Sequence, residues 1–191
     1  MSTTALALVA SAVFLVRLVP QPARLARSGV DAGVSPLAAL NAVIGTVAWL
    51  VYGLDAGLPV VWIVSLLALV PGVWTVALLR SATTARDLTW AAAWVAVLAA
   101  AATAGVFGLA LAAGVVVSSG PQVVAAVRSE QLSGLAPATW WLAIADAVTW
   151  GAYGLALGDA ALTGYGVVLL ASALIVLSRI RVTSASVALA G

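Results

Sequence analysis

Long apolar stretches alternate with short polar joints along this chain. Residues 5–19, 37–54, 59–79, 138–157 and 160–178 form runs of the length a helix needs to cross about 30 Å of hydrocarbon. A further run, 88–120, is long for one tilted helix and short for two. Pro, Gly, Asp and Arg gather in the joints between the runs. The pattern predicts an all-α integral membrane protein with six or seven transmembrane helices. Composition agrees, since 64% of the residues are hydrophobic and 7% are charged, where soluble domains carry about 25% charge.

Sliding the sequence by 101 positions resolves the long run. Pro20, Gln21, Arg27, Ser28, Gly33 and Pro36 then fall on Pro121, Gln122, Arg128, Ser129, Gly134 and Pro137. Trp49, Tyr52, Gly53, Leu54 and Gly57 fall on Trp150, Tyr153, Gly154, Leu155 and Gly158, and Arg80 falls on Arg181. Thirteen of the 38 positions from 20 to 57 are identical. Apolar helices match by chance in Ala, Val and Leu, but not in spaced Pro, Gln, Trp and Tyr, so the chain contains a duplication. The same offset places a break near Ala104 and Gly105. The expected layout is a three-helix repeat at 4–80, a linker helix at 86–104, a second repeat at 105–182 and a tail at 183–191. The apolar start has no basic residues ahead of it and belongs to the first repeat, so it is expected to be a retained span rather than a signal peptide.

An odd linker makes the repeats parallel, related by an axis along the membrane normal. Seven spans put Arg24, Arg27, Arg80, Arg86, Arg128, Arg179 and Arg181 on one side, with Arg17 at that end of its helix. The other side receives Asp55 and Asp159. The positive-inside rule then predicts an outside N-terminus and a cytoplasmic C-terminus. A net charge of +2 with no clustered basic face gives no case for nucleic-acid binding. Without Cys or His there are no thiol nucleophiles, imidazole bases or soft-metal ligands. No phosphate-binding loop is present, so neither enzymatic chemistry nor a cofactor or metal is expected.

Four groups of residues could carry function. Pro20-Gln21 and Pro121-Gln122 lie at equivalent points where proline bends or ends a helix, and the Gln amide can donate to carbonyls released there. They are candidate hinges, or simple helix stops. Asn41, Gly45, Trp49 and Tyr52 share one helical face, and Leu142, Asp146, Trp150 and Tyr153 form the equivalent stripe. Facing Trp side chains would clamp a small polar solute. The tyrosines, nearer the helix ends, are expected in an interfacial aromatic belt. Asp146 lies on the order of 14 Å from the start of its span. A carboxylate at that depth suits proton coupling, recognition of a cationic or polyol substrate, or a structural bond to Asn41, a Ser or a backbone carbonyl. Ser65, Thr75, Thr163, Tyr165 and Ser172 add polarity on the third helices, while Trp90, Trp94, Trp140 and Trp141 are expected as anchors.

Pro-Gln followed by Arg, Gly and Pro, then W-x-x-Y-G, in two parallel copies around a linker helix, resembles the SWEET and SemiSWEET sugar transporters within the PQ-loop membrane proteins. The resemblance implies a solute site between the halves near the midplane, with proline hinges opening one side as the other closes. It implies substrate roles for Trp49 with Gly45 and for Trp150 with Asp146. Sugar-carrying members also place an Asn on the third helix of each repeat, where this chain has Val64 and Ser65 or Tyr165 and Gly166. Asn41, Ser65, Tyr165 and Asp146 are the available substitutes. The expected function is a facilitator of a small polar solute, with a sugar first among the candidates. The alternatives are a proton-coupled exporter of amino acids or related solutes, with Asp146 as the proton site, and a non-transporting receptor or scaffold. The partners expected are the solute and the lipid bilayer of a cell membrane, whose Lys-free, Ala-rich bias points to a bacterium. Monomer and homo-oligomer both remain open.

Overall fold

The computed structural model describes residues 2–190, with side chains described through 181. The described residues are helical, with no strand among them: α1 (Thr3–Arg17), α2 (Pro20–Ser28), α3 (Pro36–Asp55), α4 (Pro59–Leu78), α5 (Ala85–Thr103), α6 (Phe107–Arg128), α7 (Pro137–Leu157) and α8 (Ala160–Ala190). Six helical stretches are long and apolar enough to cross a membrane, the first being α1 and α2 taken together. The 21-residue α7 is not one of them, because Asp146, three Trp and two Thr dilute its apolarity. The tail predicted at 183–191 lies outside the residues whose side chains are described.

Local chemistry sets most boundaries. Pro36, Pro59 and Pro137 occupy the first helical turn, where the missing N–H costs nothing. The run at 88–120 divides where α5 ends at Thr103 and Gly105 takes φ +72°, a conformation that favours glycine. The prolines of the two Pro-Gln pairs do not stop their helices. After a two-residue break at Leu18 and Val19 the chain continues helically through α2, and α6 runs through Pro121 to Arg128. The first run, expected to end at Val19, therefore extends to Ser28.

Within each half the third helix lies between the other two: α4 between α1 and α3, and α8 between α6 and α7. The halves meet through α1 on α7 and through α3 on α6, and α5 rests against α3 and α6. The helix pairs are drawn together by glycine. A Cβ on Gly53 would lie 2.7 Å from the Trp62 nitrogen, and one on Gly154 would lie 2.5 Å from the Thr163 nitrogen. These two contacts are 101 residues apart on both partners, so the repeated W-x-x-Y-G marks a close helix-to-helix approach.

The protein is built inside out relative to a soluble domain. Ala7, Ala10, Ala126, Ala143 and Ala173 are almost completely buried, whereas Val70, Leu109 and Leu155 are more than 70% exposed. Lipid solvates large apolar side chains as well as a protein interior does, so membrane helices gain by burying small residues that let backbones approach. An outward Val and Leu surface with an interior of Ala, Gly, Ser and Asn is an α-helical membrane protein's pattern.

Candidate functional site

A cavity of about 250 Å³ lies between the two halves. Trp49 and Trp150 both line it, together with Gly45, Ser65 and Tyr165. Trp49 meets Tyr165 edge to face at 5.9 Å and Tyr52 at 5.5 Å, so its ring is fixed by aromatic neighbours from both halves. Trp150 is held likewise by Tyr153 at 5.7 Å. Two anchors expected at the interface also belong to the wall: Trp94 of α5, seated against Gly114, and Trp140 of α7. Trp141 remains exposed, stacked under the Arg181 guanidinium at 5.0 Å, and Trp90 is exposed.

The tyrosines depart from the aromatic belt. Tyr153 is buried among Ala7, Ala10, Val61 and Leu162, while the Tyr52 hydroxyl donates to Asp159 Oδ2 at 2.7 Å. Helices outside their own half cover them: α1 and α4 close over Tyr153, and α5 and α6 pack against Tyr52. Asp159 also accepts from the Leu162 N–H, capping α8. One carboxylate thus joins α3 of the first half to α8 of the second.

At the opposite end the two glutamines cross over. Gln21 Nε2 donates to the Gly134 carbonyl at 3.0 Å and Gln21 Oε1 accepts from the Ala136 N–H at 3.0 Å. Gln122 repeats this in mirror fashion, donating to the Gly33 carbonyl at 2.7 Å and accepting from the Ser35 N–H at 2.8 Å. Each amide therefore satisfies the loop of the other repeat rather than the carbonyls of its own helix, as the sequence suggested. The loops touch directly, since the Gly134 N–H donates to the Ala32 carbonyl at 2.9 Å. A Cβ on Gly33 or Gly134 would fall 2.8 Å or 2.7 Å from a carbonyl oxygen of the facing loop. Arg24 adds a bond to the Ser133 carbonyl.

Asp146 has a partner that sequence reasoning placed elsewhere. Its carboxylate is fully buried, with Oδ2 3.2 Å from Arg17 Nε and 2.5 Å from the Tyr165 hydroxyl, which donates to it. Arg17 in turn donates from Nη2 to the Tyr165 oxygen at 3.3 Å and packs over the Phe14 ring. Arg17 was counted with the interfacial arginines because it precedes Pro20 by three residues. α1 ends at Arg17 but the helical course resumes at Pro20 and runs to Ser28, so Arg17 lies inside the 26-residue stretch rather than at its end, within reach of α7 and α8. Asn41 is not Asp146's partner: its amide donates to the Val117 carbonyl at 3.0 Å, tying α3 to α6. Neither Asn41 nor Asp146 reaches the cavity surface, whereas Arg17 does.

The remaining third-helix residues mostly satisfy nearby backbone. Thr75 donates to the Pro71 carbonyl, Thr163 to the Asp159 carbonyl, and Ser172 shares a bond with Ser119. Among the described residues no cluster of acidic side chains could hold a metal ion. The signal for Arg17 was present in the sequence only as a basic residue inside an apolar run, and its meaning depended on where that helix ends. Comparison of the chain with protein-family models, curated proteins and solved structures finds no match.

Proposed function

We propose that this chain is a seven-span membrane carrier of the SWEET-like type, facilitating passage of a small polar solute by alternating access. In this reading the N-terminus is outside, the C-terminus is cytoplasmic, and the Pro-Gln end, where Arg24 and Arg128 lie, faces the cytoplasm. The observation that carries the proposal is that bonds between the two halves lie toward both ends of the cavity, the glutamines in its wall and the other bond about one turn beyond Trp49. The crossed glutamines hold the Pro-Gln end and the Tyr52 to Asp159 bond holds the other.

Alternating access requires two barriers that open separately, and these two sets share no residue. The half-to-half contacts also have the form of a rocking interface, with α1 on α7 and α3 on α6 arranged about the central cavity. Pro20 and Pro121, each one residue before a crossing Gln, are the points where bending would release that end. A sugar heads the solute list, because paired Trp faces and Ser or Thr hydroxyls suit a hydroxylated ring.

The test is uptake of radiolabelled glucose into proteoliposomes, with and without Trp49→Ala or Trp150→Ala. Uptake in the parent and its loss in both variants, with the variants still folded, is the expected result. Uptake indifferent to both substitutions would remove the Trp pair from the pathway. A complete lack of flux for neutral and charged small solutes would favour a receptor or scaffold.

A further inference from the structure

The cavity wall has a charge of the opposite sign to that suggested by the sequence. Asp146 stands behind the wall, and among the described lining residues Arg17 is the one charged side chain. Its guanidinium has five N–H donors. Tyr165 accepts one of them at 3.3 Å, and Asp146 Oδ2 sits 3.2 Å from Nε without the alignment of a hydrogen bond. Most of the fork is thus left without a protein acceptor.

Two further donors are in the same condition. Thr139 Oγ1 and Trp140 Nε1 are buried in the cavity lining and have no hydrogen-bond partner. Both lie on α7, about two turns from Asp146 toward the Pro-Gln end. Buried polar atoms without partners are costly and uncommon. Arg17 Nε, Trp140 Nε1 and the Thr139 hydroxyl belong to the cavity lining, whereas the unpartnered acceptors Asn41 Oδ1 and Asp146 Oδ1 lie outside it, so the wall itself fits an acceptor-bearing occupant.

We infer that the cavity is built for a hydroxylated monocarboxylate, a sugar acid in chemical class, whose carboxylate docks on Arg17. The hydroxyl groups of such a solute would accept from Trp140 and exchange bonds with Thr139 and Ser65. Asp146 is then a positioning residue. It balances the arginine while the cavity is empty, since an unpaired guanidinium within the bilayer is costly, and with Tyr165 it holds the fork in place. The arriving carboxylate forms a charge-assisted pair with the face of the fork that Asp146 does not occupy. This inference rests on the carrier reading and narrows its substrate.

Glucuronate and glucose, alike in ring size and differing in charge, separate the outcomes by calorimetric binding and by proteoliposome counterflow. The wild-type protein should bind glucuronate at least about tenfold more tightly than glucose, as expected for one charge-assisted pair. The double variant Arg17→Gln/Asp146→Asn removes both charges together and leaves no lone buried ion, which protects the fold. In it the glucuronate-to-glucose affinity ratio should fall to about one. Equal binding of the two in the wild type, or a preference that survives the double substitution, overturns the inference. Glucose carried while glucuronate is refused overturns the acid specificity and leaves the carrier standing. If neither solute is bound or carried, the inference falls, and the carrier reading falls only when other small polar solutes also fail to cross.

Discussion

Arg17, Asp146 and Tyr165 have repeat equivalents in Ser118, Gly45 and Val64, 101 positions away on each count. The two places are built very differently. Where α1 meets α7 and α8, an ion pair and a tyrosine fill the interface, and Asp146 has no exposed surface. At the equivalent positions of α6, α3 and α4 there is a Ser, a Gly and a Val, and a Cβ on Gly45 would meet nothing within 4 Å. Duplication supplied one frame twice. Divergence turned one copy of the inter-half contact into a polar clamp and left room for the cavity beside the other. The frame itself stayed symmetric at the Pro-Gln end, where the two glutamines make matching pairs of bonds. At the other end the tyrosine-to-carboxylate bond is made once, because Asp159 corresponds to Leu58.

The largest way to break this comparison is to remove one member of the ion pair. Asp146→Asn or Arg17→Gln should destabilise the protein by about 3–5 kcal/mol, the usual result of leaving one buried charge alone. Arg17→Gln/Asp146→Asn should recover a large part of that loss. Unfolding midpoints in detergent measure both effects, and additive losses in the double variant would mean that the two groups do not act as a pair.

Overpacking the helix hairpin of the second half comes next. Gly166→Ala would set a Cβ 2.6 Å from the Ala147 carbonyl oxygen and should cost about 1–3 kcal/mol. The equivalent Ser65→Ala already has a Cβ and deletes only a hydroxyl, so its stability should change by less. Thermal shifts that come out alike would contradict the tighter α7 to α8 approach.

The crossed glutamines predict equality. Gln21→Ala leaves the Gly134 carbonyl and Ala136 N–H without partners, and Gln122→Ala does the same to Gly33 and Ser35. Each should cost about 1–3 kcal/mol, and each should speed amide exchange in the loop of the opposite repeat. Faster exchange confined to the mutated residue's own repeat would refute the crossing. Tyr52→Phe is expected to lose about 1 kcal/mol with its bond to Asp159, and Tyr153→Phe less, because Asp159 pairs with Tyr52. Equal losses measured by chemical unfolding would remove that asymmetry. Gly45→Ala is the mildest, neutral or stabilising by up to about 1 kcal/mol, since its Cβ enters open space and alanine is the better helix former. A marked loss of stability there would show that the space beside Gly45 is filled.

Much of the frame could be traced in the amino-acid order. Span positions followed from apolar run lengths, and the break at Gly105 followed from matching the halves. Trp49 and Trp150 were recognised by spacing on one helical face and do line the cavity. Local signals failed where a residue's role depended on a neighbour far along the chain. Arg17 resembled an interfacial arginine, Tyr153 a belt residue and Trp140 an anchor because each sits near the end of an apolar run, and Trp94 an anchor because it lies on the linker helix. Their burial depends on which helices cover them, and a hydropathy pattern does not contain that information.

The sequence by itself determined the helices, their small-residue faces and the twofold repeat, since those depend on periodicity, proline and glycine chemistry, and self-similarity. The tertiary structure alone decided that each glutamine serves the other half and that Arg17 neutralises Asp146 across 129 residues of chain. It also decided that a cation rather than an anion faces the cavity. Charge pairing between helices is set by the order in which they pack, and the third helix of each half comes between the other two.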